Sequence, residues 1–261
     1  MLKGPIKKLT SFFDVLGECS YLFKESLKKI IQGKVPSHLV LEQIKEVGIN
    51  SIPLIAITAL SSGFVMTLQF GLGLEKFGGK PYVPKVMSLA IFMELSPVFT
   101  ALMCAARVGA GIASEVGSMK VTQQIDALKA LGCSPIEEIV SPRLIACLVS
   151  FPILTLITSF LALTASAAVG YFELGLDPLF FYQKVVTTVA LREFTSGFFK
   201  AYIFAICVCI PACYYGFHVR EGTKGVGKAT TLAVVAGSVL IFISDYFVTK
   251  LYWMFEAWRQ F

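Results

Sequence analysis

The stretch Val47–Leu74, VGINSIPLIAITALSSGFVMTLQFGLGL, runs for 28 residues without a charged side chain. About 20 predominantly apolar residues suffice for a helix to cross a bilayer, so this one can span and must tilt or protrude. Working outward, the gaps between charges predict further spans. Between Lys85 and Arg107 lie 21 residues whose one charge is Glu94, and between Arg143 and Glu173 lie 29 uncharged residues. A fourth segment runs from about Phe194 to Phe217, with Lys200 near one end. A fifth runs from about Ala229 to Phe255, with Asp245 and Lys250 toward its far end. The expected fold class is an all-α integral membrane protein with five transmembrane helices.

Composition points the same way. Of 261 residues, 56% are hydrophobic and 15% charged, where a soluble domain needs about a quarter charged to wet its surface. The net charge of +6 would suggest nucleic acid in a soluble protein. Here eight of the 23 Lys and Arg precede the first long apolar run, which favours anionic lipid headgroups and argues against nucleic acid. The seven cysteines form no CxxC and the chain has two histidines, so a zinc site is not expected and the cysteines read as small membrane-core residues. No cleavable signal peptide is expected, because the first apolar stretch carries several charges and no Ala-x-Ala site follows it.

From Leu9 to Ile31 the apolar residues Leu9, Phe12, Phe13, Leu16, Cys19, Leu22, Phe23, Leu27, Ile30 and Ile31 recur at helical intervals, with Lys24, Lys28 and Lys29 toward the other side. Such a helix is too charged to span and suits the headgroup plane; packing on a soluble core is the other reading. The positive-inside rule sets the orientation. With the N-terminus cytoplasmic, the inside segments hold 15 Lys and Arg and the outside segments 8, which favours N-terminus in and C-terminus out. Tyr252, Trp253 and Trp258 then form an outer interfacial belt.

The loop after the second span looks built. Val121, Ile125, Leu128 and Leu131 predict a short amphipathic helix ending at Gly132. Ser134-Pro-Ile-Glu137 reads as a capping box, with Ser134 as N-cap and Glu137 reaching back. A motor subunit could push on such a cytoplasmic helix, or it could merely lie on the membrane. Ala105, Ala106, Gly109, Ala110, Ala113 and Gly117 extend the second span with small residues that allow close helix approach. Gly222–Ala229 matches GxxxxGK but has Ala229 where a nucleotide-binding loop needs Ser or Thr, and no strand precedes it. It reads as a flexible cytoplasmic turn. Glu94 and Asp245 are the intramembrane carboxylates, and such groups normally face a cavity or a partner. Glu94 reads as lining a polar path or as a helix–helix contact. Asp245 and Lys250 are too far apart along one helix for an i, i+4 pair, so the partner of Asp245 must come from elsewhere, or it reaches the interface.

At this point the residues resemble the MlaE family, the permease subunits of bacterial ABC transporters that work with MCE-domain proteins. The likeness is carried by Glu94-Leu-Ser-Pro97, Arg107-Val-Gly109, Ser114-Glu-Val-Gly-Ser-Met-Lys-Val-Thr-Gln-Gln-Ile-Asp-Ala-Leu128, Ser141-Pro-Arg143 and Gly225-Val-Gly-Lys-Ala-Thr-Thr231. It covers about Glu46 to the C-terminus, dividing the chain into a basic amphipathic segment, 1–45, and an MlaE-like permease domain, 46–261. The resemblance implies a homodimer in the bacterial inner membrane, a separate cytoplasmic ATPase that binds ATP and magnesium, and a periplasmic MCE-domain protein. The assembly would move phospholipids or related lipids between inner and outer membranes. No catalytic, cofactor or metal site is expected on this chain. By the same likeness Glu94 and Pro97 line the lipid path, while Glu115, Gly117, Met119, Gln123, Gln124, Asp126 and Leu128 couple to the ATPase. Two departures stand out: many relatives have Glu at Gln123, and some have Arg at Met93. An ion-coupled carrier using Glu94 and Asp245, and a non-transporting membrane scaffold for an MCE protein, are the alternatives.

Overall fold

A computed structural model describes the backbone of residues 3–220 and 222–259, with side chains from residue 14 onward except 221, 256 and 259. Among the described residues there is no strand, and five helical stretches are long and apolar enough to cross a membrane. They are Ser37–Glu75, Lys80–Val121, Ile136–Phe172, Leu191–Phe217 and Gly222–Phe255, one for each expected span. The protein is an all-α, multi-pass membrane protein.

Eleven α-helices make up these stretches and their connections: α1 Lys3–Ile31, α2 Ser37–Val47, α3 Ile52–Glu75, α4 Val83–Ala90, α5 Ser96–Cys104 and α6 Ala110–Val121. They continue with α7 Gln124–Ala130, α8 Ser141–Phe172, α9 Pro178–Thr188, α10 Leu191–Phe217 and α11 Gly222–Arg259. Two π-helical turns, Ile91–Leu95 and Ala105–Gly109, join helices without breaking the chain's course, and a third, Ile136–Val140, leads into α8. Two of the three share a local cause. Each is followed by Ser-Pro, at Ser96-Pro97 and Ser141-Pro142. Proline offers no N–H to the carbonyl four residues back and its ring presses on that carbonyl, so the backbone widens. The serine N–H then bonds five residues back, Ser96 to the Ile91 carbonyl and Ser141 to the Ile136 carbonyl.

The chain forms two compact units. The first comprises Met1–Val47, Cys104–Cys147 and Ala205–Leu240. Here α1 is packed as well as amphipathic: Ser26 is fully buried and its Oγ donates to Ser141 Oγ at 3.0 Å. Lys29, expected on the polar side, turns inward and its Nζ donates to Glu137 Oε2 at 2.9 Å. That contact also corrects the capping box. Ser134 and Pro135 do lie at the helix start, but the Ser134 side chain makes no cap bond and the Glu137 carboxylate goes to Lys29, because an ammonium is a stronger partner than a backbone N–H. The side chains of Leu9, Phe12 and Phe13 lie outside the described residues.

Within the same unit, Ala105, Gly109, Ala113 and Gly117 are buried at i, i+4 spacing, while Ala106 is exposed and Ala110 half-buried. A Cβ on Gly216 of α10 would meet Val116 Cβ at 2.7 Å, so α6 and α10 approach as closely as glycine permits. The helix expected through Val121–Gly132 is broken. α6 ends at Val121, Gln123 takes the left-handed conformation at φ 60°, and α7 begins at Gln124. It stops as expected at Gly132, φ +79°, where Cys133 N–H bonds the Leu128 carbonyl at 3.0 Å. Val121 and Leu131 are exposed and Ile125 is buried. Gly222–Ala229 is not a turn: after Gly222, at φ +54°, these residues form the first turns of α11.

The second unit comprises Gly48–Met103, Leu148–Phe204 and Ile241–Phe261. Its core gathers Val83, Met87, Ile91, Ala162 and Leu174. A Cβ on Gly63 would run into the Ala162 carbonyl oxygen, so α3 lies directly on α8. Paired hydroxyls, Thr67–Ser166 and Thr100–Thr158, both at 2.7 Å, bridge helices. In lipid no water satisfies such groups, and each pair contributes roughly 0.6 to 1.7 kcal/mol. One helix was not foreseen. Asp177 caps α9 by accepting from Phe180 N–H at 3.0 Å, with Pro178 at the first helical position, an Asp-Pro signal visible in the sequence.

Candidate functional site: a charged cluster among the spans

The second unit holds a charged cluster built from three helical stretches. Glu94 sits on the π-turn Ile91–Leu95, Lys200 on α10, and Asp245 and Thr249 one turn apart on α11. Lys200 is 1% exposed, and its Nζ lies 2.6 Å from Glu94 Oε2 and 2.8 Å from Asp245 Oδ1. The Asp245 contact is an ion pair by distance, without hydrogen-bond alignment. Thr249 Oγ1 donates to Glu94 Oε1 at 3.2 Å, so both oxygens of Glu94 are engaged.

Local sequence explains the geometry. Gly197 stands one turn before Lys200, and a Cβ there would overlap the Phe92 carbonyl oxygen. Glycine thus lets α10 touch the π-turn backbone, which brings Lys200 within reach of Glu94. The π-turn in turn depends on Pro97, which is itself buried. Stripping charges of water costs several kcal/mol per ion, which mutual contact must offset. Lys200 faces two carboxylates, and Glu94 keeps 40% of its side chain exposed while Asp245 keeps 22%. The arrangement can therefore hold an ammonium firmly and still present carboxylate to something outside.

Asp245 thus takes its partner from another helix. Lys200 was not singled out from the sequence. It falls near one end of its expected span, whereas α10 starts at Leu191 and buries it. A lone lysine in a spanning segment is the signal that could have marked it.

The residues expected to couple to an ATPase all fall in the first unit, in two settings. Glu115 and Gly117 support packing: Glu115 Oε2 accepts from Arg143 Nη2 at 2.8 Å, and a Cβ on Gly117 would meet Val219 at 3.0 Å. Met119 and Leu128 are half-buried, while Gln123, Gln124 and Asp126 are exposed. Asp126 accepts from Lys120 Nζ at 3.0 and 3.1 Å, tying α7 back to α6. Of the cysteines, Cys104, Cys147, Cys209 and Cys213 are buried, but Cys133 is exposed after α7 and is not a core residue. Burial, then Glu18 beside it and Cys213, push the Cys19 thiol of α1 up to about 11.

Comparison with known proteins completes the assignment. The profile of the family described as permease MlaE matches residues 40–251. A probable ABC transporter permease protein of Rickettsia conorii is 35% identical over 94% of this chain and 95% of its own length. One from Synechocystis is 34% identical, covering 98% and 96%. The intermembrane phospholipid transport system permease protein MlaE of Haemophilus influenzae is 28% identical, covering 96% of each. With the family's profile covering most of its spans, the chain belongs to the MlaE permease family.

Proposed function

We propose that the chain is the permease subunit of an ABC-type transporter that moves phospholipids between the inner and outer membranes. The observation that carries this reading is the Lys200-centred cluster on the spans, with Glu94 partly exposed. An apolar bundle needs no such charges for stability, and intramembrane ionisable groups mark substrate paths. The printed name of the Haemophilus influenzae relative supports the lipid class.

In this reading Glu94 lines the lipid path and Pro97 acts indirectly, by holding the π-turn. ATP and magnesium are bound by a separate cytoplasmic ATPase, which docks on the exposed Gln123 before α7 and on Gln124 and Asp126 of α7. Lys120 and Arg143 then pass its movement into α6, the end of the span that carries Glu94. The subunit works as a homodimer in the bacterial inner membrane with a periplasmic MCE-domain partner, N-terminus cytoplasmic and C-terminus periplasmic. Weakly buried α11, with Phe242, Tyr246 and Phe247 about 60% exposed, supplies an apolar face suited to a second subunit or lipid. Reconstitution with the co-purifying ATPase tests the function. ATP-dependent phospholipid transfer that is lost in Glu94→Ala, with assembly intact, is the expected result. Transfer that persists without the ATPase rejects it.

A further inference from the structure

The cluster does not balance. Lys200 brings one positive charge to two carboxylates, and among the described residues no second cation meets Glu94 or Asp245. Lys250, the next cation along α11, lies over the Tyr246 ring instead, 6.0 Å from its centre. With the carboxylates ionised, the site carries a formal charge of about −1 among apolar helices, where an uncompensated charge is costly. Lys200 is 1% exposed and has both carboxylates as neighbours, whereas 40% of the Glu94 side chain and 22% of that of Asp245 are accessible, so Glu94 is the member of the cluster most open to a ligand.

An apolar groove lies along the same two helices. It has a volume of about 580 Å³ and is lined by Phe199, Tyr202, Val248, Leu251 and Phe255, with the hydroxyl-bearing Thr195 among its other walls. On α11 Asp245, Val248, Tyr252 and Phe255 follow at intervals of 3, 4 and 3, so Asp245 lies on the helix face that lines the groove, and Thr249, one turn further on, holds Glu94 to the same stretch of α11 at 3.2 Å. Acidic group and apolar channel together complement a molecule with a cationic head and an alkyl chain.

We propose that this site binds the amine-bearing headgroup of a zwitterionic phospholipid, its ammonium at Glu94 and an acyl chain in the groove, and discriminates against lipids with a purely anionic head. The proposal rests on the lipid-transport reading and adds the substrate's charge class to it. An ammonium neutralises the excess charge, whereas an anionic head brings a second negative charge to a site whose one lysine is already engaged. One charge-assisted hydrogen bond in a water-poor site supports about a tenfold preference.

The test uses the full chain, purified with its co-purifying ATPase and incorporated into nanodiscs of equimolar phosphatidylethanolamine and phosphatidylglycerol with matched acyl chains. After exchange into detergent, retained lipid is quantified by mass spectrometry. Retention enriched about tenfold in phosphatidylethanolamine is expected, and the ratio of the two lipids in whatever lipid stays bound falls toward the supplied one in Glu94→Gln. Asp245→Asn, with the ammonium of Lys200 left opposite one carboxylate, shifts the ratio the same way. A native ratio equal to the supplied one, or favouring phosphatidylglycerol, overturns the proposal, as does an unchanged preference in both variants. If lipid is transferred without headgroup preference, this proposal alone fails. If no lipid is retained or transferred, the transport reading fails with it.

Discussion

Replacing Lys200 with methionine removes the one ammonium between two carboxylates while nearly preserving side-chain length. Lys200 is 1% exposed with carboxylate oxygens at 2.6 and 2.8 Å, so both contacts are lost and no water replaces them from the lysine side. Breaking a buried ion pair by removing one partner costs about 3–5 kcal/mol, because the charges left behind stay desolvated. Glu94 is 40% exposed and can turn toward more polar surroundings, so its share is reduced by screening and the lower end, about 3 kcal/mol, is expected. The compensating variant is the informative one. Lys200→Met combined with Glu94→Gln and Asp245→Asn leaves no charge behind and should recover to within about 1 kcal/mol of the native protein, since uncharged groups of similar volume replace buried ion pairs with little loss. Equilibrium unfolding of the detergent-solubilised protein measures both. A cost below about 0.5 kcal/mol for Lys200→Met, or a triple variant less stable than the single one, refutes the electrostatic account of the cluster.

Other perturbations probe separate features. Gly197→Ala places a methyl group onto the Phe92 carbonyl and should cost about 1–3 kcal/mol in the same unfolding measurement, whereas Gly73→Ala, with open space around it, should be neutral or stabilising. At Gln123, φ 60°, Gln123→Gly should stabilise by up to about 1 kcal/mol and Gln123→Val should destabilise by at least as much; the reverse order would contradict the left-handed link between α6 and α7. Cys19, with its thiol raised to about 11, should alkylate slowly at neutral pH, its rate climbing about tenfold per pH unit as thiolate forms. Exposed Cys133 should label first, and a Cys19 rate that levels off near pH 9 would show its surroundings to be less buried than described.

Much of the architecture was legible because a bilayer imposes a coarse rule. Val47–Leu74 and Leu144–Phe172 lack charges over lengths that only a membrane makes useful, and each gap became a span. The stop at Gly132 and the start at Ser134-Pro135 were likewise written locally, in residues whose backbone preferences act without neighbours. Local cues failed where a distant partner competed. Val121 fits the period of α7 yet ends α6, and Glu137 fits a capping box yet serves Lys29, which lies 108 positions away. Gly222–Ala229 has the composition of a turn, but it is wound into α11.

By itself, then, the sequence determined that this chain crosses a membrane five times, where its carboxylates fall along the spans, and which family it resembles. Only the tertiary structure decided that Glu94, Lys200, Asp245 and Thr249 form one cluster. These residues come from segments up to 155 positions apart. They meet because glycine at 197 and a π-turn before Pro97 let two backbones touch, and side-chain periodicity does not record such contacts between helices.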